Sequence, residues 1–247
     1  MEASTRSPRS LRALAVAVTA CALAFAGFVA LGVWQVHRLA WKQALIARVD
    51  RNVHAAPAAA PGPSQWMRLT GDDEYRRVSA SGTFDASREV LVSATTELGS
   101  GYWVLTPLHT SDDAWVFVNR GFVPPELRGK VPPPASGNAL VGLLRLTEPQ
   151  GRFLQANDPA ADRWYSRDVA AMAWRQGLAG AVAPYFIDLV ATPASASAWP
   201  RPGLAVLQFR NDHLVYALTW FALAAIMAAA IGYLVLDARR GRRLPKA

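Results

Sequence analysis

The 247-residue chain has a single cysteine, Cys21, so no intrachain disulfide can form. Its four histidines stand at 37, 54, 109 and 213, and none has another His or Cys at ligand spacing, which leaves no sequence basis for a structural zinc site. There is no nucleophile elbow, phosphate-binding glycine loop or paired-histidine helix motif. The carboxylates are scattered, with no spacing that pairs two of them for acid–base work. These absences favour a binding or assembly role over an enzyme. Charge is also scarce in the middle: of the formal +8, residues 37–212 carry only +2. Without a basic face interleaved with aromatics, nucleic acid is not an expected partner.

Two charge-free runs stand out instead. Ala13 to Val36 is 24 residues and Leu214 to Leu236 is 23 residues. At about 1.5 Å per helical residue, each is long enough for a hydrocarbon core of about 30 Å. The expected organisation is a tail (1–12), a first span (13–36), a central domain (37–212), a second span (213–236) and a second tail (237–247). Arg6, Arg9 and Arg12 precede the first span, and Arg239, Arg240, Arg242, Arg243 and Lys246 follow the second. Flanking cations stay cytoplasmic, so both termini are expected in the cytoplasm and the central domain across the membrane. Val18-Thr19-Ala20-Cys21 faintly resembles a lipoprotein cleavage site. However, uncharged and mostly apolar sequence continues to Val36, so Cys21 reads as a thiol within the span.

The expected fold class is membrane α+β: two terminal transmembrane helices flanking a mostly-β, barrel- or sandwich-like domain with a short helix. Trp34, His37, Arg38, Trp41 and Leu45 recur at helical spacing, so the first helix should continue past the membrane surface. Ala55 to Pro63, rich in alanine and proline, reads as a linker. Val90–Val92, Tyr102–Leu108, Ala114–Phe122, Ala139–Leu146 and Tyr185–Val190 read as strands, with a hairpin turn at Ser111-Asp112-Asp113. Proline-rich Pro124–Pro134 reads as a loop, and Arg163–Leu178 as a helix with Val169, Met172 and Ala173 on one face.

His213 stands at the start of the second span. Tyr216, Ala217, Trp220 and Ala224 follow on its helical face. This face offers an imidazole, flat aromatics and small residues. It is read either as an interfacial histidine above an aromatic belt or as the axial ligand of a planar cofactor such as heme. His37, between Trp34 and Trp41, is read as a polar interfacial residue or a second ligand.

Several blocks then occur in a fixed order: Leu31-Gly32-Val33-Trp34-Gln35-Val36-His37-Arg38-Leu39-Ala40-Trp41-Lys42, Tyr75-Arg76-Arg77-Val78, Gly82-Thr83-Phe84-Asp85, Val116-Phe117-Val118-Asn119-Arg120-Gly121-Phe122-Val123-Pro124, Gly142-Leu143-Leu144-Arg145-Leu146-Thr147-Glu148, Asn157-Asp158-Pro159, Trp164-Tyr165-Ser166-Arg167-Asp168, Pro184-Tyr185-Phe186-Ile187-Asp188 and Arg210-Asn211-Asp212-His213-Leu214-Val215-Tyr216-Ala217-Leu218-Thr219-Trp220-Phe221. From about Leu31 to Phe221 the chain resembles the surfeit locus protein one family, assembly factors for heme–copper cytochrome c oxidase. It departs slightly, with Asp212 where glutamate is common and Phe221 where tyrosine is common.

The resemblance implies a non-catalytic factor that binds heme a and delivers it to subunit I of the oxidase. His213 is then the residue implicated at the iron, and Tyr216 and Trp220 flank it. Arg38 and Arg210 are placed to meet the heme propionates, or else to snorkel to lipid headgroups. Implied partners are subunit I, heme a synthase and membrane lipid. The alternative within the same family is an interaction chaperone that stabilises subunit I of a cytochrome c or quinol oxidase and never ligates heme. Asn119-Arg120-Gly121 reads first as a turn or bulge, with Arg120 in a buried ion pair or a partner contact. Gly82 suggests a close backbone approach.

Overall fold

The structure is a computed structural model. It describes residues 11–134, 139–152, 154–195, 198–204 and 211–241. The chain forms two compact units, one of residues 1–46 with 209–247 and one of residues 47–208.

Two long helices carry the apolar runs. Helix α1 spans Leu11–His54, 44 residues without a proline, and so continues well beyond the charge-free run, as its spacing suggested. Residues 211–241 supply the other long helix, which starts at His213 and ends at Gly241. Both are long and apolar enough to cross a membrane.

Residues 47–208 build a β domain. Its strands are β1 (Ala58–Ala59), β2 (Arg77–Phe84), β3 (Val90–Thr96), β4 (Gly99–Thr110), β5 (Ala114–Val123), β6 (Ala139–Leu146), β7 (Gly151–Arg152), β8 (Gln155–Ala156) and β9 (Ala181–Leu189). Helix α2 (Val169–Arg175) precedes β9, and α3 is the terminal helix His213–Gly241. The main sheet runs β1-β2-β6-β9-β5-β4-β3 and closes by pairing β2 with β4, giving a five-stranded barrel of β2, β6, β9, β5 and β4. The 12-residue β4 makes closure possible, because its first half pairs with β3 and its end with β2. Only β5–β9 is a parallel pair within the barrel.

Closure needs Gly82. A Cβ there would sit 2.1 Å from the His109 carbonyl oxygen, so any larger residue would push β2 off β4. The β4–β5 hairpin turns at Ser111–Asp113, with Asp113 at φ 54° and the Thr110 hydroxyl donating to the Ala114 carbonyl at 3.0 Å.

Strand alternation makes two cores. Val78, Ala80, Leu108, Val116, Val118, Leu144, Ala183, Tyr185 and Ile187 fill the barrel. On β5 and β9 the intervening Phe117 and Phe186 face the other way. There they pack with Val90, Val92, Leu105, Trp164, Val169, Met172 and Ala173, so that α2 and Trp164 cover the outer wall.

Three sequence expectations are corrected. β2 was absent from the expected strands because its run Arg77-Val78-Ser79-Ala80-Ser81-Gly82-Thr83-Phe84 alternates with small residues and carries a weak hydrophobic signal. The helix expected over 163–178 is only Val169–Arg175. Asp168 caps it by accepting from the Ala171 amide at 3.1 Å, while Trp164 is held extended, its carbonyl accepting from the Ser93 amide at 2.8 Å. The presumed linker 55–63 contains β1, parallel to β2. The Pro61 carbonyl there accepts from both Trp66 Nε1 and the Tyr185 hydroxyl at 2.8 Å, which ties the segment to the barrel rim.

Candidate functional site

Two places gather polar chemistry among the described residues: the pair of apolar helices and the end of the barrel near Asn119.

Within the unit of residues 1–46 and 209–247, the buried residues among those described are Gly32 and Gln35 of α1 and Ala217 and Ala224 of α3. They recur every three to seven positions, so each helix buries one face, which carries Gly32 and Gln35 on α1 and two alanines on α3. Phe221 lies against Gly32, where a Cβ would come within 2.7 Å of its ring. Trp220 stacks on Phe28, with ring centroids 5.7 Å apart and planes inclined 24°. Near the start of α3, whose first turn is joined by the Tyr216 amide donating to the Asp212 carbonyl, His213 hydrogen-bonds Gln35. Nδ1 lies 2.8 Å from Gln35 Oε1. An amide oxygen only accepts, so in this arrangement Nδ1 is the donor, and Nε2 is the ring nitrogen that makes no contact with Gln35.

Of the residues named from sequence, His213 and Trp220 lean toward α1, and Ala217 and Ala224 sit between the helices. Tyr216 stays at the margin, 55% exposed. Arg38 is exposed and stacks on the Trp41 ring, 4.0 Å from its centroid. Arg210 lies outside the described residues. His37 is exposed; two positions beyond Gln35, it lies roughly 200° around α1 from it, away from His213. Sequence reasoning missed Gln35, Phe28 and the fit of Phe221 on Gly32. A polar amide inside a charge-free run was the available signal for the first.

In the barrel, the register between Val104/Leu105 and Gly121/Asn119 skips Arg120, which makes it the bulged residue. Gly121 follows at φ 128°, with its Cα against the Arg201 backbone. The bulge sends Asn119 and Arg120 to different partners. Asn119 Nδ2 donates to Asp188 Oδ1 at 2.8 Å, and Arg145 Nη1 donates to Asp188 Oδ2 at 3.2 Å. Arg167 forks onto Glu148 and lies 3.7 Å from Asp188. Burial alone would raise the Glu148 carboxyl, but Arg167 and Arg145 outweigh it and hold it below the ordinary carboxylate value.

Arg120 pairs with Glu89 at 2.9 Å and donates to the Pro132 carbonyl beneath the 124–134 loop. Glu89 also accepts from the Thr106 hydroxyl at 3.0 Å. Burial dominates here and raises the Glu89 carboxyl despite Thr106 and Arg120. Arg120, 6% exposed, is therefore the buried ion-pair residue of the two readings. Each of these carboxylates is matched by an arginine, and among the described residues no group of three His, Cys, Asp or Glu could hold a metal.

Two apolar helices joined by a polar pair, flanking a closed five-stranded barrel with a buried arginine–carboxylate network, define a membrane-anchored β-barrel protein. Residues 22–225 match the profile of the SURF1 family. The chain is 37% identical over 218 residues to surfeit locus protein 1 of Rattus norvegicus, covering 79% of this chain and 68% of that one. To surfeit locus protein 1 of Homo sapiens it is 36% identical over 221 residues, covering 79% and 69%. To the SURF1-like protein of Monosiga brevicollis it is 34% identical over 219 residues, covering 81% and 80%. The chain belongs to the SURF1 family.

Proposed function

We propose that this chain is an assembly factor for heme–copper cytochrome c oxidase, acting without catalysis by holding heme a at His213 and passing it to subunit I. The observation that carries the reading is the His213–Gln35 hydrogen bond, which occupies Nδ1 and leaves Nε2 for an axial iron ligand. The donor set fits the cargo: an imidazole oriented by a hydrogen bond beside flat side chains. Tyr216 and Trp220 supply aromatic surface next to it, and Arg38, exposed against Trp41, supplies charge for the propionates, with Arg210 proposed for the same role from its place in the sequence alone. A site between only two helices is open to lipid on its flanks, which suits cargo that must leave again. The tail arginines support cytoplasmic termini and a periplasmic barrel at a bacterial inner membrane. Heme a synthase is the natural donor of the cargo and so a second partner.

One observation favours the scaffold alternative, in which the chain stabilises subunit I and ligates no heme. Trp220 already stacks on Phe28, and Phe221 already covers Gly32, so the helix faces fill part of the room a flat ring would use. The two readings separate in cells that make heme a. Under the carrier reading, His213→Ala abolishes co-purified heme a and lowers the level of assembled oxidase while the barrel stays folded. Unchanged heme content and unchanged oxidase would leave the scaffold reading alone.

A further inference from the structure

We propose that Gln35 is a positioning residue that fixes the tautomer and orientation of His213, so that the ligand comes from one membrane helix and its orienting group from the other. This rests on the reading of His213 as the heme a ligand, and it concerns a residue which that reading does not use.

Gln35 is 8% exposed and lies inside the charge-free run of α1. A primary amide in that setting is costly unless hydrogen-bonded, since neither lipid nor the surrounding Val, Leu and Phe side chains can partner it. Its Oε1 accepts a hydrogen bond from His213 Nδ1–H across 2.8 Å, although the two residues lie 178 positions apart in the chain. Directionality does the rest. In the opposite tautomer, Nδ1 would turn a lone pair toward the amide oxygen, and two acceptors would face one another. With the bond made, Nε2 holds its lone pair in a fixed direction and needs no proton loss before it can bind iron. An acceptor on the far nitrogen also makes the ligating nitrogen a better donor. Among the described residues, this is the hydrogen bond that holds the ring. Beside this bond Gly32 leaves room for the Phe221 ring and Ala217 is buried, so the two helices pack together where Gln35 reaches His213.

The test has an arm that needs no heme. The full chain, labelled with ¹⁵N-histidine and held in lipid nanodiscs at a pH where imidazole is neutral, is examined by long-range ¹H–¹⁵N correlation, with His213 assigned by its loss in His213→Ala. The wild type should show His213 protonated at Nδ1. Gln35→Leu, which is similar in size and apolar, should shift it toward protonation at Nε2. Gln35→Glu keeps an acceptor in place and should restore the Nδ1–H form. In the second arm, heme a is titrated into each variant. Gln35→Leu should weaken binding by about 10- to 100-fold, and Gln35→Glu should keep binding but move the reduction potential of the bound iron to a more negative value than wild type. A merely structural glutamine would leave the tautomer unchanged in Gln35→Leu. An Nε2–H ring in the wild type, or a tautomer unchanged by Gln35→Leu in a chain of normal helical content, overturns the proposal. If the tautomer arm succeeds while no variant binds heme a, the carrier reading has failed and the positioning of the ring by Gln35 has not.

Discussion

Removing Arg120 isolates what the buried ion pair contributes. In Arg120→Met the hydrophobic stem is retained, but Glu89 keeps a carboxylate that is 17% exposed and answered only by the Thr106 hydroxyl. The Pro132 carbonyl also loses its donor. Breaking a buried pair from one side costs about 3–5 kcal/mol, and the residual exposure of Glu89 points to the lower end. With a urea dependence of about 1–3 kcal/mol per molar, a loss of about 3 kcal/mol lowers the unfolding midpoint by about 1–3 M. The cost should depend on pH. Glu89 already has a raised carboxyl in the native state, and losing Arg120 raises it further. A group whose folded pKa exceeds its unfolded one stabilises below the unfolded value, about 4.3, and loses that contribution as pH rises through the folded value. The penalty should therefore be smaller at pH 5 than at pH 8, and the double variant Glu89→Gln/Arg120→Met should lose less than Arg120→Met alone. Urea unfolding of the full chain in detergent, followed by tryptophan fluorescence, measures all three. A penalty below about 1 kcal/mol with no pH dependence would refute the argument and return Arg120 to the role of a partner contact.

Three other outcomes follow from the barrel. Gly82→Val should break the β2–β4 seam at a cost on the order of 3 kcal/mol, and the amides of residues 82–84 and 108–110 should lose hydrogen-exchange protection, because a side chain there meets the His109 carbonyl. Glu148→Gln should flatten the acid limb of stability. The native Glu148 carboxyl is held low, so its contribution is complete above the unfolded value of about 4.3 and fades as pH falls below it, and the wild type should lose stability more steeply there than the variant. Tyr185→Phe should cost about 1 kcal/mol by thermal unfolding, the net value of a buried hydroxyl bond to the Pro61 carbonyl.

The helices were legible in the sequence because a charge-free run of more than 20 residues has few other uses, and α1's extension showed in its tryptophan and leucine spacing. β5 was legible because continuous apolar sequence with aromatic and β-branched residues suits a strand buried on both faces, here barrel core on one side and the α2 layer on the other. β2 was not, since its inward positions are Val78 and Ala80 and closure depends on a glycine, so little hydrophobic contrast marks it. The α2 region was overextended because Trp164 resembles a helix-face residue locally, whereas its burial comes from the distant strand β3. The bulge at Asn119–Gly121 could be anticipated from residue type, but the pairing of Arg120 with Glu89 could not. The same limit applied to the helix pair. His213 drew notice by its place at the end of a span, while Gln35 passed as one letter of a block, because nothing local links positions 35 and 213.

The carrier account is tested most directly by titrating heme a into the purified full chain in detergent, for wild type and His213→Ala, with absorbance reporting both stoichiometry and axial ligation. The account predicts one heme a per chain with a histidine-ligated spectrum in the wild type, and loss of that spectrum in a variant whose barrel still unfolds at the wild-type urea concentration. Identical spectra and affinities for the two proteins would contradict it.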